Sequence, residues 1–416
     1  MKIWVLATML AVAGIAAQPA AGASDAAAQF GARQMVEDIS LSPDGKSIAI
    51  VQPTEGRGSA LYVVSLAGAP ELKPILSSTG SPDRLDYCRW ATGTRLICGI
   101  AVFQTVGGEL TGYTRIITLN ADGSDMKILS ERSSTELLGV AGNGGNVIDW
   151  QGDNKGAVLI SEYHLPNHST GYILKNSNEG QAVYLVDTKT LERKAVEPPK
   201  YGGIDYIADG RGTVRIMAVQ PSTSNGYKGN RTTFTYRKRD GQEWLPLSIA
   251  TYGGGLSTEP LAVDPDLDVV YGLENKGGRT ALYKIALDGS MKTDLIFERP
   301  DADVDGLIRI GRQGRVVGAS YAGEKRHAVF FDPSLKSLAA SLSRALPGHP
   351  MVSFQDASAD ENILLLWAGS DMDPGRYYLF NKTTKSLTEV MAVPRSWTRP
   401  SSQRSARSLS PPPTGR

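Results

Sequence analysis

The chain has 416 residues, with 44 Lys and Arg against 43 Asp and Glu, a near balance that excludes the basic surface a broad nucleic-acid footprint requires. Its 45 glycines and its apolar residues in short bursts point to many short strands and turns rather than long helices. The length suits two average domains or one large repeat-built domain.

Residues 1–23 read as a secretory signal. Lys2 gives the positive start, Ile3 to Ala17 is apolar, and Ala21-Gly22-Ala23 fits a small-x-small cleavage site, with Ser24 the expected mature start. The apolar stretch is shorter than the ~20 residues that span a bilayer, so a cleaved signal is expected over an anchor. No later segment is apolar for long enough to span. The protein is therefore expected in the periplasm or outside the cell. Residues 24–38 form a short lead segment.

From Ile39 one pattern recurs. Each copy begins with a short apolar strand and a polar turn, continues with a strongly apolar second strand, and ends with a third and fourth strand around another turn. The first copy is Ile39-Ser40-Leu41, the turn Ser42-Pro43-Asp44-Gly45, Ile48 to Val51, then Leu61 to Val64. The second runs from about Leu85 through Ile116 to Leu119 and the Asp122-Gly123 turn. Within it, Cys88 and Cys98, the only two cysteines, flank a turn near Gly93. Pairing symmetric about Gly93 sets them opposite each other, and export permits a disulfide there. Two free buried thiols are the alternative. Two cysteines with no nearby histidine supply too few ligands for zinc.

The third copy uses Val147, Val158 to Ile160 and Val183 to Val186. The fourth uses Ile204 to Ile207, Val214 to Val219 and Phe234 to Tyr236. The fifth uses Leu261 to Val263, Val269 to Tyr271 and Leu282 to Ile285. The sixth uses Leu307 to Ile310, Val316 to Ala319 and Ala328 to Phe331. The seventh repeats the whole pattern: Met351 to Gln355, the turn Ser358 to Glu361, Ile363 to Trp367, Tyr377 to Phe380 and Leu387 to Val390. Seven copies at a spacing of about 45 to 55 residues predict an all-β fold, a seven-bladed β-propeller of four-stranded blades over residues 39–393. One such sheet cannot bury both faces; radial stacking does it for all of them. Residues 394–416 hold five arginines, no acid and Pro411-Pro412-Pro413, and are expected to be disordered.

A search for chemistry finds no complete site. Nucleophilic serine chemistry needs a G-x-S-x-G elbow on a strand-to-helix turn. The nearest string, Gly318-Ala319-Ser320-Tyr321-Ala322-Gly323, is off by one and sits in a predicted strand. His164 and His168 lie in a long loop of the third copy, where Pro166 argues against the helix that would align them. A loop site formed with Glu162 is conceivable, but a solvated or substrate-facing loop is the expectation. His327 and His349 have no evident partner. Asp301 to Gly306 copies the start of a calcium loop, yet Arg312 stands where a bidentate Glu is needed. Arg237-Lys238-Arg239 reads as a solvated basic face. Gly144-Gly145 and Gly253-Gly254-Gly255 read as loops. No catalytic residue, metal or cofactor is assigned.

The blades resemble the N-terminal propeller of the prolyl oligopeptidase family of serine peptidases, in its exported bacterial form. The lead and first turn, FGARQMVEDISLSPDGKSIAIVQP, and the two final copies, HAVFFDPSLKSLAASLSRALPG and FQDASADENILLLWAGSDMDPGRYYLFNKTTKSLTEV, carry the likeness, which covers about Ala28 to Val393. In that family the propeller caps a C-terminal α/β-hydrolase domain with a Ser-Asp-His triad and restricts access to it. The resemblance thus implies a peptide substrate and a hydrolase domain as partners. This chain departs from the pattern where the hydrolase would begin, so no catalytic residue is carried over. Read with a two-base shift, one encoding of Pro411 to Gly415 gives Ala-Ala-Asp-Gly, like the turn that opens such hydrolase domains. A frameshifted or truncated product is therefore expected. The other reading is a stand-alone propeller that binds a peptide, glycan or protein.

Overall fold

A computed structural model describes Gly31 and residues 33–67, 73–130, 142–150, 156–165, 179–223, 225–251, 258–370 and 372–392. The signal segment, most of the lead segment, the tail 394–416, His168 and Gly253 to Gly255 lie outside the described residues. Gln34–Val393 form one compact unit.

The polar turns cut the chain into seven antiparallel sheets of consecutive strands. Blade I is β1 Asp38–Leu41, β2 Ser47–Pro53, β3 Ser59–Ser65 and β4 Pro74–Ser78; blade II is β5 Asp83–Trp90, β6 Arg95–Val106, β7 Glu109–Asn120 and β8 Lys127–Ile128. Blade III is β9 Asn146–Asp149, β10 Ala157–His164, β11 Gly180–Asp187 and β12 Arg193–Lys200; blade IV is β13 Gly203–Ala208, β14 Val214–Val219, β15 Arg231–Tyr236 and β16 Leu245–Thr251. Blade V is β17 Glu259–Asp264, β18 Val269–Lys276, β19 Arg279–Ala286 and β20 Thr293–Phe297. Blade VI is β21 Val304–Ile310, β22 Arg315–Ala322 and β23 Arg326–Phe330, followed by helix α1, Pro333–Ala345; blade VII is β24 Met351–Ala357, β25 Ile363–Gly369, β26 Arg376–Asn381 and β27 Ser386–Ala392.

The first strands of successive blades lie side by side around the ring, β1 with β5, β9 with β13, β13 with β17, and β21 with β24. Second strands are covered on both faces, and this is why their apolar runs are continuous. Ile48 to Val51 and Leu364 to Leu366 are each at most 3% exposed. Each such Ile, Val or Leu side chain contributes roughly 1.5–3 kcal/mol by leaving water. Blade VII meets blade I to complete the ring. Leu365 packs with Ile39, Leu41 and Ile48; the Leu41 N–H donates to Asp356 Oδ2 at 2.9 Å, and the Ala359 N–H to the Pro43 carbonyl at 2.7 Å. Among the described residues every blade is built from consecutive strands, so side-chain packing and these hydrogen bonds close the ring rather than a strand exchanged between the ends.

The matching turns of the first and last copies are matched in structure. Ser42 Oγ donates to Asp44 and receives the Lys46 and Ser47 N–H groups; Ser358 Oγ donates to Asp360 and receives the Ile363 N–H. Gly45 takes φ 70° at the position where blade VII holds Glu361 at φ 54°. Cys88 and Cys98 are register partners on β5 and β6 and form the expected disulfide. Both are buried.

The expectation of seven four-stranded blades fails at blade VI, which has three strands. Asp332 caps α1, its Oδ1 accepting the Ser334 and Leu335 N–H groups at 2.9 and 3.2 Å, and Pro333 sets the first turn. Leu335 and Leu342 then recur at helical spacing and bury against Val352, Phe354 and Leu366 of blade VII. The segment's Ser, Lys and Ala residues favour helix over strand.

Candidate functional site

The innermost strands bring charged side chains to the centre of the ring. Asp38 Oδ2 on β1 accepts the Cys88 N–H at 3.1 Å, and its Oδ1 meets Arg89 of blade II at 3.2 Å. Burial raises the Asp38 carboxyl above its ordinary value, opposed by Arg89 and the Cys88 N–H. Asp356 on β24 is raised for the same reason, opposed by the Leu41 and Ala357 N–H groups and by the charges of Arg89 and Arg312.

At the end of the ring bearing the turns between first and second strands, side chains tie distant blades together. Arg312, in the blade VI turn, donates through Nη2 to the carbonyls of Ala91 in blade II and Trp150 in blade III, at 3.1 and 3.2 Å. Neither blade adjoins blade VI, so this side chain crosses the ring axis. Arg211 of blade IV reaches Asp266 of blade V at 2.7 Å and Gln313 of blade VI at 3.2 Å. The Gly212 N–H donates to Asp149 of blade III at 2.7 Å. Arg312 borders a cavity of about 270 Å³ whose wall includes Pro43, Ala91, Trp150 and Ala359.

Two clefts open between blades elsewhere. One, of about 300 Å³ between blades IV and V, has apolar walls from Ile204, Ile216 and Phe234 and two carboxylates, Asp205 and Glu259. Burial pushes the Asp205 carboxyl up and only the Tyr206 N–H opposes it. The other, of about 370 Å³ between blades VI and VII, is lined by Arg309, Arg326 and His327 with Ser320, Ser353 and Gln355. There Arg326 is paired with Asp305, and Arg309 donates to the Leu261 carbonyl of blade V.

The residues singled out in the sequence are dispersed. Ser320 lies in β22 and donates to Asp305 at 2.6 Å. Glu162 and His164 both end β10, two residues apart on one face, with Oε1 and Nε2 3.6 Å apart. Glu162 is also held by Arg193, whose guanidinium stacks on Tyr184. This cluster borders the seam between blades II and III, where Arg193 also donates to the Leu129 carbonyl. Among the described residues no three His, Cys, Asp or Glu side chains converge as metal ligands. Asp301 pairs with Arg299, Asp303 with Arg279 and Asp305 with Arg326, so each acid of the calcium-like string has its own cation.

In the basic run Lys238 and Arg239 are exposed, as its composition predicts, and Arg237 alone is drawn inward. Arg237 is wedged between Glu197 and the Trp244 ring, 4.0 Å from its centroid, and Arg239 donates to the Pro265 carbonyl. A buried Glu on the preceding blade and an aromatic face nearby draw the guanidinium inward. His327 stacks on Tyr321 at 4.8 Å, and His349 Nδ1 lies 3.3 Å from the Ser343 carbonyl. Sequence reasoning missed Arg309 and Arg312. The visible signal was an Arg set beside or within an apolar inner strand.

No family model matches the sequence, and no curated protein matches it. The fold is similar to that of solved peptidases at low identity. A pair of prolyl endopeptidases studied for inter-domain dynamics gives 11% identity over 88% of this chain and 53% of that one, with a TM-score of 0.49. Prolyl oligopeptidase B from Galerina marginata gives 14%, 85%, 50% and 0.49. Dipeptidyl peptidase 4 from Porphyromonas gingivalis gives 11%, 89%, 61% and 0.44. The chain spans about half the length of the first two. The molecule is a seven-bladed propeller resembling the propeller domains of such peptidases.

Proposed function

We propose that this chain is the substrate-gating propeller of a prolyl-oligopeptidase-like serine peptidase and has no hydrolytic activity alone. What supports the reading is the ring of seven consecutive-strand sheets, the architecture that the resemblance over about Ala28 to Val393 implies. Its partners are then a peptide substrate and an α/β-hydrolase domain, and its place is the periplasm or the cell exterior. In this role the ring acts by size: a peptide threads or skirts the channel, while a folded protein is held off.

The purified chain is expected to leave peptide p-nitroanilides intact and to remain unlabelled by a fluorophosphonate probe; labelling would sink the reading. DNA beyond codon 416 is expected to encode a hydrolase domain in one frame. If it encodes none, the peptidase origin fails. The second reading, a stand-alone binding propeller, is favoured by the two clefts between blades, whose walls come from this ring alone.

A further inference from the structure

The seam between blades IV and V is held differently at its two ends. At the turn end Arg215 pairs with Asp268 and Arg211 with Asp266, each at 2.7 Å. At the opposite end, where β13 and β17 begin, the seam opens into the cleft of about 300 Å³. Asp205 shares a strand face with Ile207, which packs into this seam against blade V. Glu259 reaches the cleft from blade V. Among the described residues no Lys or Arg lines the cleft, and the Asp205 carboxylate accepts only the Tyr206 N–H, at 2.8 Å. Arg231, nearby on β15, alternates with the cleft-lining Thr232 and so lies on the other face of its strand. The cleft walls hem in the Asp205 carboxyl and push it above its ordinary value, with no neighbouring charge in opposition. A carboxylate so placed is stabilised by a cation brought to it.

Other seams of the ring show which cation such an acid takes. At the seam of blades II and III, Arg193 is paired with Glu162 and lies 5.0 Å from the centre of the Tyr184 ring. At the seam of blades III and IV, Arg237 is paired with Glu197 and lies 4.0 Å from the Trp244 ring. At the seam of blades V and VI, Arg299 pairs with Asp301 at 2.8 Å and lies 5.0 Å from the Tyr321 ring. Each sets a guanidinium against both an acid and an aromatic face, and both attract it. The cleft presents the same two kinds of partner, Asp205 and Glu259 as acids and Phe234 as the ring, beside Ile204 and Ile216. Ile204 is 41% exposed. Apolar walls below a charged rim suit a side chain with an aliphatic stem and a cationic head.

We propose that the cleft between blades IV and V binds the arginine side chain of an incoming peptide, its guanidinium on Asp205 and Glu259 and its methylene stem along Ile204 and Phe234. The two carboxylates set the charge of the occupant, and the chain's own acid–arginine–ring units set its shape. A lysine carries the same charge without the flat head that lies on a ring. Asn230, exposed, and Thr251 also line the cleft and offer hydrogen bonds to peptide groups flanking the arginine. The site stands on its own geometry and does not depend on the peptidase reading.

The test uses the purified chain and three peptides, each labelled with fluorescein at its N-terminus and amidated at its C-terminus, read by fluorescence anisotropy. They are Ala-Val-Arg-Val-Ala and the same sequence with lysine or citrulline in place of arginine; citrulline keeps the shape of arginine and lacks its charge. The arginine peptide is expected to bind about tenfold or more tightly than the citrulline peptide, and about threefold or more tightly than the lysine peptide. Asp205→Asn combined with Glu259→Gln should abolish the preference for arginine over citrulline. Glu55→Gln, at an exposed acid of blade I, should leave it unchanged. Agmatine, a guanidine without peptide groups, should compete about tenfold or more weakly than the unlabelled arginine peptide. Thermal unfolding of each variant verifies that it is folded. The proposal is overturned if the unmodified chain binds no peptide, or binds the arginine peptide no better than either of the others. It is also overturned if the folded double variant keeps the preference, if Glu55→Gln loses it as fully, or if agmatine competes as well as the peptide. Because binding is read directly, the outcome is independent of any hydrolysis assay.

Discussion

Arg309 and Arg312 stand three residues apart in blade VI and meet opposite circumstances. Arg312 crosses the ring axis to two carbonyls on blades that its own blade does not adjoin. Arg309 bonds one carbonyl of the neighbouring blade and lines a cleft. The turn end of the ring uses its arginines to hold non-adjacent blades together, whereas exposed Arg309 makes one bond to the next blade. A reach of one blade appears again in three further arginines that open second strands. Arg95 reaches the Thr188 carbonyl of blade III, Arg215 reaches Asp268 of blade V, and Arg315 reaches Glu361 of blade VII. Side-chain ties of this kind supply what a ring without an exchanged strand needs. A usable binding site has to lie where such ties are incomplete.

The largest effect is expected where a tie is most buried. Arg215 is 1% exposed. Asp268→Gly removes its partner while remaining at ease at φ 52°, and should cost about 3–5 kcal/mol in urea unfolding. A loss below about 1 kcal/mol would show that this end is not held by its arginines. Removing the disulfide by the double change Cys88→Ala and Cys98→Ala frees a short loop of the unfolded chain, and should cost about 3 kcal/mol.

The pair that opened the comparison gives its sharpest test. Arg312→Ala strips hydrogen bonds from two carbonyls and should lose about 1–3 kcal/mol, whereas Arg309→Gln should stay within about 0.5 kcal/mol of the parent. Equal losses, measured by the same urea titration, would erase the distinction between the two positions.

Acid titration separates the groups by sign. Burial holds the Asp356 carboxyl above its ordinary 3.8. Between that value and the raised one the folded chain keeps a proton the unfolded chain has lost, so this group makes stability fall as pH rises through the window. The Ser358 hydroxyl and the Asn362 N–H hold Asp360 below 3.8. Its contribution is present above the unfolded value and is lost as the pH falls through the folded one. Asp356→Asn should therefore flatten the decline in unfolding midpoint just above pH 3.8, and an unchanged slope would contradict the assignment. The smallest effect belongs to the exposed Arg376–Glu389 pair, where Arg376→Ala should leave the urea unfolding midpoint unchanged, and a measurable drop would contradict this ranking.

Much of the ring was legible. The strand period, the Ser42 to Gly45 and Ser358 to Glu361 turns, and the Cys88–Cys98 register all follow from local pattern. Local bonding makes these features: a serine beside an aspartate organises its own turn, and cross-strand partners follow from the turn's centre. Helix α1 carried a readable signal in Asp332-Pro333 and the spacing of Leu335 and Leu342, hidden by the expectation of seven identical blades. The candidate clefts were not legible. Arg309 and Arg326 look like ordinary strand-edge charges until the neighbours on the adjoining blades are known.

By itself the sequence determined the number of blades, their order and the facing positions of the two cysteines, which the structure shows bonded. Each depends on residues within about one repeat of one another, where hydrogen bonding and apolar alternation act locally. Only the tertiary structure decided which arginines tie distant blades and which reach only the next one. That choice depends on groups brought together from far along the chain: Arg312 lies 221 residues from Ala91 and 162 from Trp150. No local pattern encodes such a meeting, because it exists only once seven blades have closed on one axis.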